Sequence, residues 1–259
     1  MYDVIICAGQ SNMEGCGYGE TERPFEPDPR ILMMTCRAHM ILPAAEEMQE
    51  LPAAYRALLL RRALPRGHLG LSFAREYAQR GYLGEGRKIL LLKAAVSATG
   101  FGSNHWKPQD VLYMNLLSMI QKALSLDQGA RVTALLWHQG ETDAQLQTAR
   151  EDYERHLAGL VAGVRAACGE PDLPFLAGGF VPQWRQANKQ TCTPILSALR
   201  TVTANTARAA FVESDGLPSN KQGFHRLHND TIHFCRNALY QFGARYFEAW
   251  QGILDGATR

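Results

Sequence analysis

A chain of 259 residues, 46% of them hydrophobic and carrying a formal net charge of +2, has enough apolar surface for one full core and no field of a single sign. That balance argues against a surface devoted to nucleic acid or to an anionic membrane, so the expected ligand is neutral or has its charge handled locally. Tyr2–Ala8 is too short for a signal-peptide core and lacks a basic leader, no stretch is long enough to span a bilayer, and the six cysteines show neither CxxC nor zinc-ribbon spacing. These features predict a reduced, cytoplasmic protein, unless a leader has been removed.

In chain order, Tyr2–Ala8 is a continuous apolar run, the pattern of a strand buried on both faces. From Gly15 to Gly70 the chain is rich in Pro and Arg and too long for an ordinary connection. It reads as a loop-rich insertion beside the site, with one short strand at Arg30–Thr35, inside a single domain covering residues 1–259. Ser72–Gln79, closed by Gly81, reads as a helix, and Lys88–Val96 as the second strand of the main sheet. Val111–Leu126 is helical, with Leu112, Leu116, Met119, Ile120 and Leu124 on one face; strand Arg131–Trp137 follows. Tyr153, Leu157, Leu160, Val161, Val164 and Cys168 recur at helical spacing. Strand Pro174–Gly178, helix Pro194–Ala207, strand Ala210–Val212 and helix Arg236–Gln251 complete the set.

This alternation predicts an α/β fold: a doubly wound, mostly parallel five-stranded sheet with helices on both faces. Ligands of such sheets sit beyond the carboxyl ends of the strands. Ser11, Ser97–Gly102, His138–Asp143 and Phe180–Arg185 each follow a strand, and Asp230–His233 comes after the last one, so the polar clusters fall on one rim.

Three clusters carry chemistry. Gly9-Gln10-Ser11-Asn12-Met13 places a serine at a strand-to-helix turn, where a base can make its hydroxyl a nucleophile, although an isolated Gly-Gln-Ser is more often a helix cap. Asp230-Thr231-Ile232-His233 puts a carboxylate three residues from a histidine, so both side chains can emerge on one side of a turn, the acid fixing the tautomer of the base. Seen alone, it reads as a surface Asp and a backbone-satisfied His. His138-Gln139-Gly140-Glu141-Thr142-Asp143 closes a buried strand with side chains able to donate to a developing oxyanion. It equally reads as a helix start, with Thr142 or Asp143 capping the helix that carries Tyr153.

Taken together and in this order, Gly-Gln-Ser-Asn-Met, Gln-Gly-Glu-x-Asp and Asp-x-x-His resemble the SGNH hydrolases, and within them the sialate O-acetylesterase and acetylxylan-esterase-like branch (carbohydrate esterase family 6-like). The resemblance spans residue 3 to about residue 245. It implies a flavodoxin-like SGNH hydrolase fold and a serine esterase that removes O-acetyl groups from carbohydrates without a cofactor or metal. Carried over by position, Ser11 is the nucleophile, His233 the general base and Asp230 its orienting acid, with Glu213 or Asp215 next in line should Asp230 fail. The oxyanion hole takes the Ser11 amide, an amide of the turn after the second strand and a side-chain amide from the third cluster. Ala98 is assigned the second donor, with Gly100 as the alternative, because this chain has Ser97-Ala98-Thr99 where relatives carry Gly-Gly-Thr. Ala98 serves as well as glycine unless the turn requires positive φ. Gln139 is assigned the third donor, with Thr142 as fallback. Gln10, Asn12, Trp106 and Glu141 are the expected substrate contacts, Glu141 also orienting its loop and Trp106 serving either as a sugar-stacking wall or as plain core.

Two rival readings remain. His225, His228, Asp230 and His233 crowd a short segment and could ligate zinc in a metal-dependent hydrolase, though without HExxH spacing. A non-catalytic glycan-binding module could keep the fold but would need neither Ser11 nor His233 in register. The partner under the favoured reading is a small-molecule or oligosaccharide acetyl ester, with no nucleic acid and no membrane involved.

Overall fold

The computed structural model describes residues 1–50, 63–224 and 229–256. Its main sheet contains β1 (Tyr2–Gly9), β2 (Ile31–Thr35), β3 (Ile41–Pro43), β6 (Lys88–Ala95), β7 (Arg131–His138), β8 (Phe175–Gly178) and β9 (Ala209–Val212). A separate antiparallel pair joins β4 (Glu47–Glu50) to β5 (Ala63–Arg66). The spatial order is β3-β2-β6-β1-β7-β8-β9, parallel throughout except for β3, which runs antiparallel on β2.

The expected five parallel strands are all present, and the sheet is extended to seven strands by two that the sequence reading left in the insertion. The region 15–70 is therefore not simply a loop. Ile31–Thr35 pairs in parallel with β6, Ile31 opposite Ile89, and buries Ile31, Met33 and Met34. Ile41–Pro43 closes that edge, where a short strand leaves few backbone groups exposed.

β1 lies at the centre, and Val4, Ile5, Ile6, Cys7 and Ala8 are fully buried between neighbours on both edges and helices on both faces. This burial is why its sequence is continuously apolar rather than alternating. The chain builds outward from β1 first on the β6 side and then on the β7 side. The carboxyl end of β1 is thus the point where strand order reverses, the usual ligand crevice of open α/β sheets.

On one face, α2 (Leu69–Gln79) packs against α9 (Arg236–Gly256). On the other, α3 (Val111–Ser125), α5 (Arg150–Cys168) and α7 (Lys189–Asn205) pack in series. The α2–α9 contact depends on Gly243: a Cβ there would lie 2.2 Å from the Leu69 carbonyl oxygen. α2 starts before the expected Ser72, because His68 caps it by accepting the Gly70 N–H at 3.0 Å. α7 starts before the expected Pro194 and carries that proline inside the helix.

At the amino end of β1, opposite the rim, Asp3 is fully buried. It accepts from Arg87 at 2.8 Å, Arg131 at 2.7 Å and the Tyr77 hydroxyl at 2.9 Å. Burial raises its carboxyl, and the two arginines and the tyrosine outweigh this and hold it below the usual carboxylate range.

Candidate active site

β1 ends at Gly9, whose φ of +141° and close approach to β7 both require glycine: a Cβ would sit 2.0 Å from the His138 carbonyl oxygen. Gln10 then donates its N–H to that carbonyl at 3.0 Å, and the single turn α1 (Ser11–Glu14) begins. Ser11 is thereby presented at the rim, 5% exposed, with its Oγ 2.9 Å from His233 Nε2. On the far side of the ring, Nδ1 lies 3.0 and 3.1 Å from the two carboxylate oxygens of Asp230. A ring nitrogen facing a carboxylate carries the hydrogen, so Nε2 is left to accept the serine proton.

Asp230 is itself held. It accepts the His233 backbone N–H at 3.2 Å and the Asn220 side-chain amide at 2.8 Å. Burial raises its carboxyl, but His233 and Asn220 more than offset this and keep it below the usual range, hence ionised. Asn220 went unnoticed in the sequence and links several parts of the site. Its Oδ1 accepts the Tyr18 N–H, its Nδ2 donates to the Cys16 carbonyl, and its N–H donates to the His233 carbonyl, each at 2.8 Å. It opens the short helix α8 (Asn220–Gly223), fixed by a capping box between Ser219 and Gln222, a Ser-x-x-Gln signal visible in the sequence. Glu213 and Asp215, the reserve acids, pair instead with Arg200 and Arg185.

The expected substrate contacts divide differently. Asn12 is fully buried and saturated: Nδ2 donates to Glu141 at 2.7 Å and to the Ile232 carbonyl at 3.1 Å, and Oδ1 accepts the Phe234 N–H at 3.0 Å. Glu141 is also fully buried, against Asn12 and His138, so it orients its loop and touches no ligand. Burial raises its carboxyl, and His138 and Asn12 offset this and hold it low. Trp106 is 1% exposed, donates to Thr99 Oγ1 at 3.0 Å and packs edge-on against Trp137, so it is core and not a stacking face.

The oxyanion donors change in one respect. The backbone N–H groups of Ser11 and Ala98 have no acceptor among the described residues, whereas the Gly100 N–H is taken by Ser103 Oγ at 2.8 Å. Ala98 sits at a φ of +59°, so the turn does impose the left-handed conformation that glycine fills more easily. Gln139, assigned the third donor, is fully buried, and its Nε2 is committed to Asp143 at 2.6 Å, the Thr99 carbonyl at 3.2 Å and Gln10 Oε1 at 3.3 Å. The backbone N–H of Thr142, the fallback residue, also goes to Gln10 Oε1, at 3.2 Å. Three donors converging on that oxygen, the third being the Gly140 N–H, fix the orientation of the Gln10 amide. Its Nε2 has no acceptor among the described residues and is not sealed from solvent. Asp143 caps nothing, since α5 begins at Arg150 behind Ala149; it sits in α4 (Glu141–Gln145) and ties down the Ala98 turn through the Phe101 and Gly102 N–H groups at 3.0 and 2.7 Å.

Of the four residues in the zinc reading, His225 and His228 lie outside the described residues. Asp230 and His233 are engaged with each other and with Ser11, and among the described residues no cluster of His, Cys, Asp and Glu could hold a metal ion.

Residues 1–251 match the family described as carbohydrate esterase, sialic acid-specific acetylesterase. The chain belongs to that family. As a member, it is a carbohydrate O-acetylesterase whose substrates are acetyl esters of small molecules or glycans. Among solved structures it is similar to NanS, at 18% identity and a TM-score of 0.78 with 98% of each chain covered. It is likewise similar to an Arabidopsis thaliana protein, at 18% identity and 0.72, again with 98% of each covered. A carbohydrate acetylesterase from Xanthomonas citri shares 17% identity and a TM-score of 0.63 over 98% of this chain and 57% of its own. At these identities the likeness is one of fold. Comparison with curated proteins finds no match.

Proposed function

We propose that this carbohydrate O-acetylesterase works by two-step acyl transfer, with Ser11 as nucleophile, His233 as general base and acid, and Asp230 as the orienting carboxylate. Ser11 Oγ attacks the acetyl carbonyl carbon as His233 Nε2 takes the hydroxyl proton. The negative charge that develops on the carbonyl oxygen is met by the N–H groups of Ser11 and Ala98 and by the Gln10 side-chain amide, which replaces Gln139 in this role. His233 gives its proton to the departing sugar oxygen, leaving an acetyl group on Ser11. Water then attacks that ester with its proton taken by His233, and collapse returns the proton to Ser11 and releases acetate.

The observation that supports this reading is the continuous relay from Ser11 Oγ through the His233 ring to Asp230, at 2.9 and 3.0 Å. The test combines an acetate-release screen on acetylated sialic acid, acetylated xylo-oligosaccharides and aryl acetates with labelling by a serine-directed phosphonate. Acetate release that Ser11→Ala abolishes, with the adduct on Ser11, is the expected result. An adduct on another residue, or a Ser11→Ala variant keeping more than about a tenth of wild-type turnover, overturns it.

A further inference from the structure

The turn that carries the Ala98 donor is anchored differently on its two sides. After Ala98, Thr99 and Gly100 are buried. Thr99 Oγ1 donates to the Val96 carbonyl at 2.7 Å and accepts from Trp106 at 3.0 Å, and the Thr99 carbonyl takes Gln139 at 3.2 Å. Ser97 and Ala98 themselves are exposed. The sheet ends just before them, with the Val96 N–H donating to the Gly9 carbonyl at 3.1 Å.

Ala98 also stands at a φ of +59°, a conformation that a residue with a Cβ keeps only when its surroundings hold it there. Its N–H lies in the plane of the Ser97–Ala98 peptide, so whatever fixes Ser97 aims the donor. Released, the turn would relax towards negative φ and carry that N–H away from the carbonyl oxygen it is meant to meet.

Ser97 is fixed by Glu14. One oxygen of the Glu14 carboxylate accepts both the Ser97 N–H, at 2.8 Å, and the Ser97 hydroxyl, at 2.5 Å. A carboxylate is the stronger kind of acceptor, and two bonds to one residue set its orientation as well as its position. Glu14 closes α1, three residues after Ser11, whereas Ser97 lies 83 positions further along the chain. That turn is itself tied, the Glu14 N–H donating to the Gln10 carbonyl at 2.8 Å and the Gly15 N–H to the Ser11 carbonyl at 2.9 Å. The nucleophile, its own N–H and the anchor of the Ala98 turn thus share one helical turn.

We infer that Glu14 is a positioning residue for the oxyanion hole: it clamps Ser97 so that the Ala98 N–H stays at a fixed place relative to Ser11. Glu14 touches no reacting atom and acts through Ser97. The inference rests on the acyl-transfer reading above. Its consequence is selective, because the hole is used most when charge has built up on the carbonyl oxygen. Loosening the clamp therefore weakens the tetrahedral state and leaves substrate binding and the Ser11–His233–Asp230 relay as they are.

The test combines steady-state kinetics on an aryl acetate with the rate at which a serine-directed phosphonate labels Ser11, since the phosphonyl oxygen enters the same hole. For Glu14→Ala, kcat should fall at least about tenfold with KM changed less than about twofold, and the labelling rate should fall by a similar factor. The rising limb of the pH–rate profile should stay where it is in the wild type. Glu14→Gln keeps an oxygen able to accept both bonds and should return kcat to within about threefold of wild type. Ser97→Ala loses only the hydroxyl bond, so it should show a smaller loss of the same kind, and it carries the test if Glu14→Ala does not fold. In the double variant it should add little to Glu14→Ala, because the two residues act as one. A kcat near wild type in a folded Glu14→Ala, a loss carried by KM, a shifted pH limb, a Gln variant as slow as the Ala variant, or losses that multiply in the double variant each overturn the clamp while leaving the esterase intact. A wild type that neither releases acetate nor takes the phosphonate at Ser11 overturns the acyl-transfer reading, and the clamp with it.

Discussion

Asn12 holds the peptide groups on both sides of His233, accepting the Phe234 N–H at 3.0 Å and donating to the Ile232 carbonyl at 3.1 Å. Asn12 directly follows Ser11 on the same turn, so nucleophile and base are located by adjacent residues although they lie 222 positions apart in the chain.

Asn12 is accordingly a positioning residue, and its removal should lower kcat without weakening substrate binding. For Asn12→Ala we expect kcat to fall about a hundredfold, the scale of a small misplacement of a reacting group, with KM changed less than about twofold. Asn12→Asp keeps the acceptor for Phe234 but sets a second carboxylate against buried Glu141. One of two such acids is driven to hold a proton, so this variant's activity relative to wild type should improve as pH falls. Kinetics from acid to neutral pH, with folding checked by circular dichroism, measure both. A raised KM at constant kcat would instead make Asn12 a substrate contact.

The relay predicts unequal losses. His233→Ala removes the only group proposed to move protons and should cost at least about a thousandfold in rate. Asp230→Asn should cost less, because the turn and Asn220 still hold the ring's surroundings. Since the Asp230 carboxyl is held low by His233 and Asn220 against burial, it stays ionised through the working range. With a neutral amide in place of the carboxylate the imidazolium is less favoured, so the rising limb of the pH–rate profile should move to lower pH. An unmoved limb and an unchanged rate would place the orienting acid elsewhere.

The oxyanion assignment separates two glutamines and one alanine. Gln10→Ala should lower kcat about a hundredfold by removing a transition-state donor, and should lower Tm as well, because it strips the acceptor from the Gly140 and Thr142 N–H groups and from Gln139 Nε2. Gln139→Ala should show mainly as a lower Tm, because it strips a buried partner from Asp143 and from the Tyr153 hydroxyl. Ala98→Gly should keep the activity and gain about 1 kcal/mol by relieving a φ of +59°. Ala98→Pro, which has neither the N–H nor that φ, should lose the activity. Thermal melts and kinetics on the four variants decide the matter; a Gln10→Ala enzyme with wild-type kcat would return the third donor to the unassigned.

What the sequence showed and what it hid have physical causes. Ser11, Asp230 and His233 were readable because each lies in a short local pattern whose chemistry needs those residue types. The role of Gln139 was misread because an amide's free face depends on acceptors brought in by the fold: Asp143 is four residues away and Gln10 is 129. Trp106 was left undecided between wall and core, and Asn12 was misread, for a related reason, since burial depends on neighbours distant in sequence. β2 was legible as four apolar residues followed by a threonine, but β3 was not, because an edge strand with exposed side chains has no pattern to set it apart from a loop. Asn220 shows no chemistry of its own and becomes visible only once Tyr18, Cys16 and Asp230 surround it.

At the far end of β1, Asp3 offers a stability test independent of catalysis. It is fully buried, with Arg87, Arg131 and Tyr77 all donating to it, so Asp3→Asn leaves two guanidinium groups without their counter-charge. Breaking one side of a buried charge cluster costs about 3–5 kcal/mol, and Arg131, which is partly exposed, places the expectation at the lower end. The sign of the pH dependence follows from the direction of the shift. The folded carboxyl lies below its unfolded value of about 3.9, so its contribution is fully present above that value and is lost as pH falls through the folded value. The stability gap between wild type and Asp3→Asn should therefore be widest at neutral pH and narrow at pH values well below about 3.9. Urea unfolding of both proteins across that range measures it, and a gap that stays constant would mean that Asp3 contributes through packing and not through its charge.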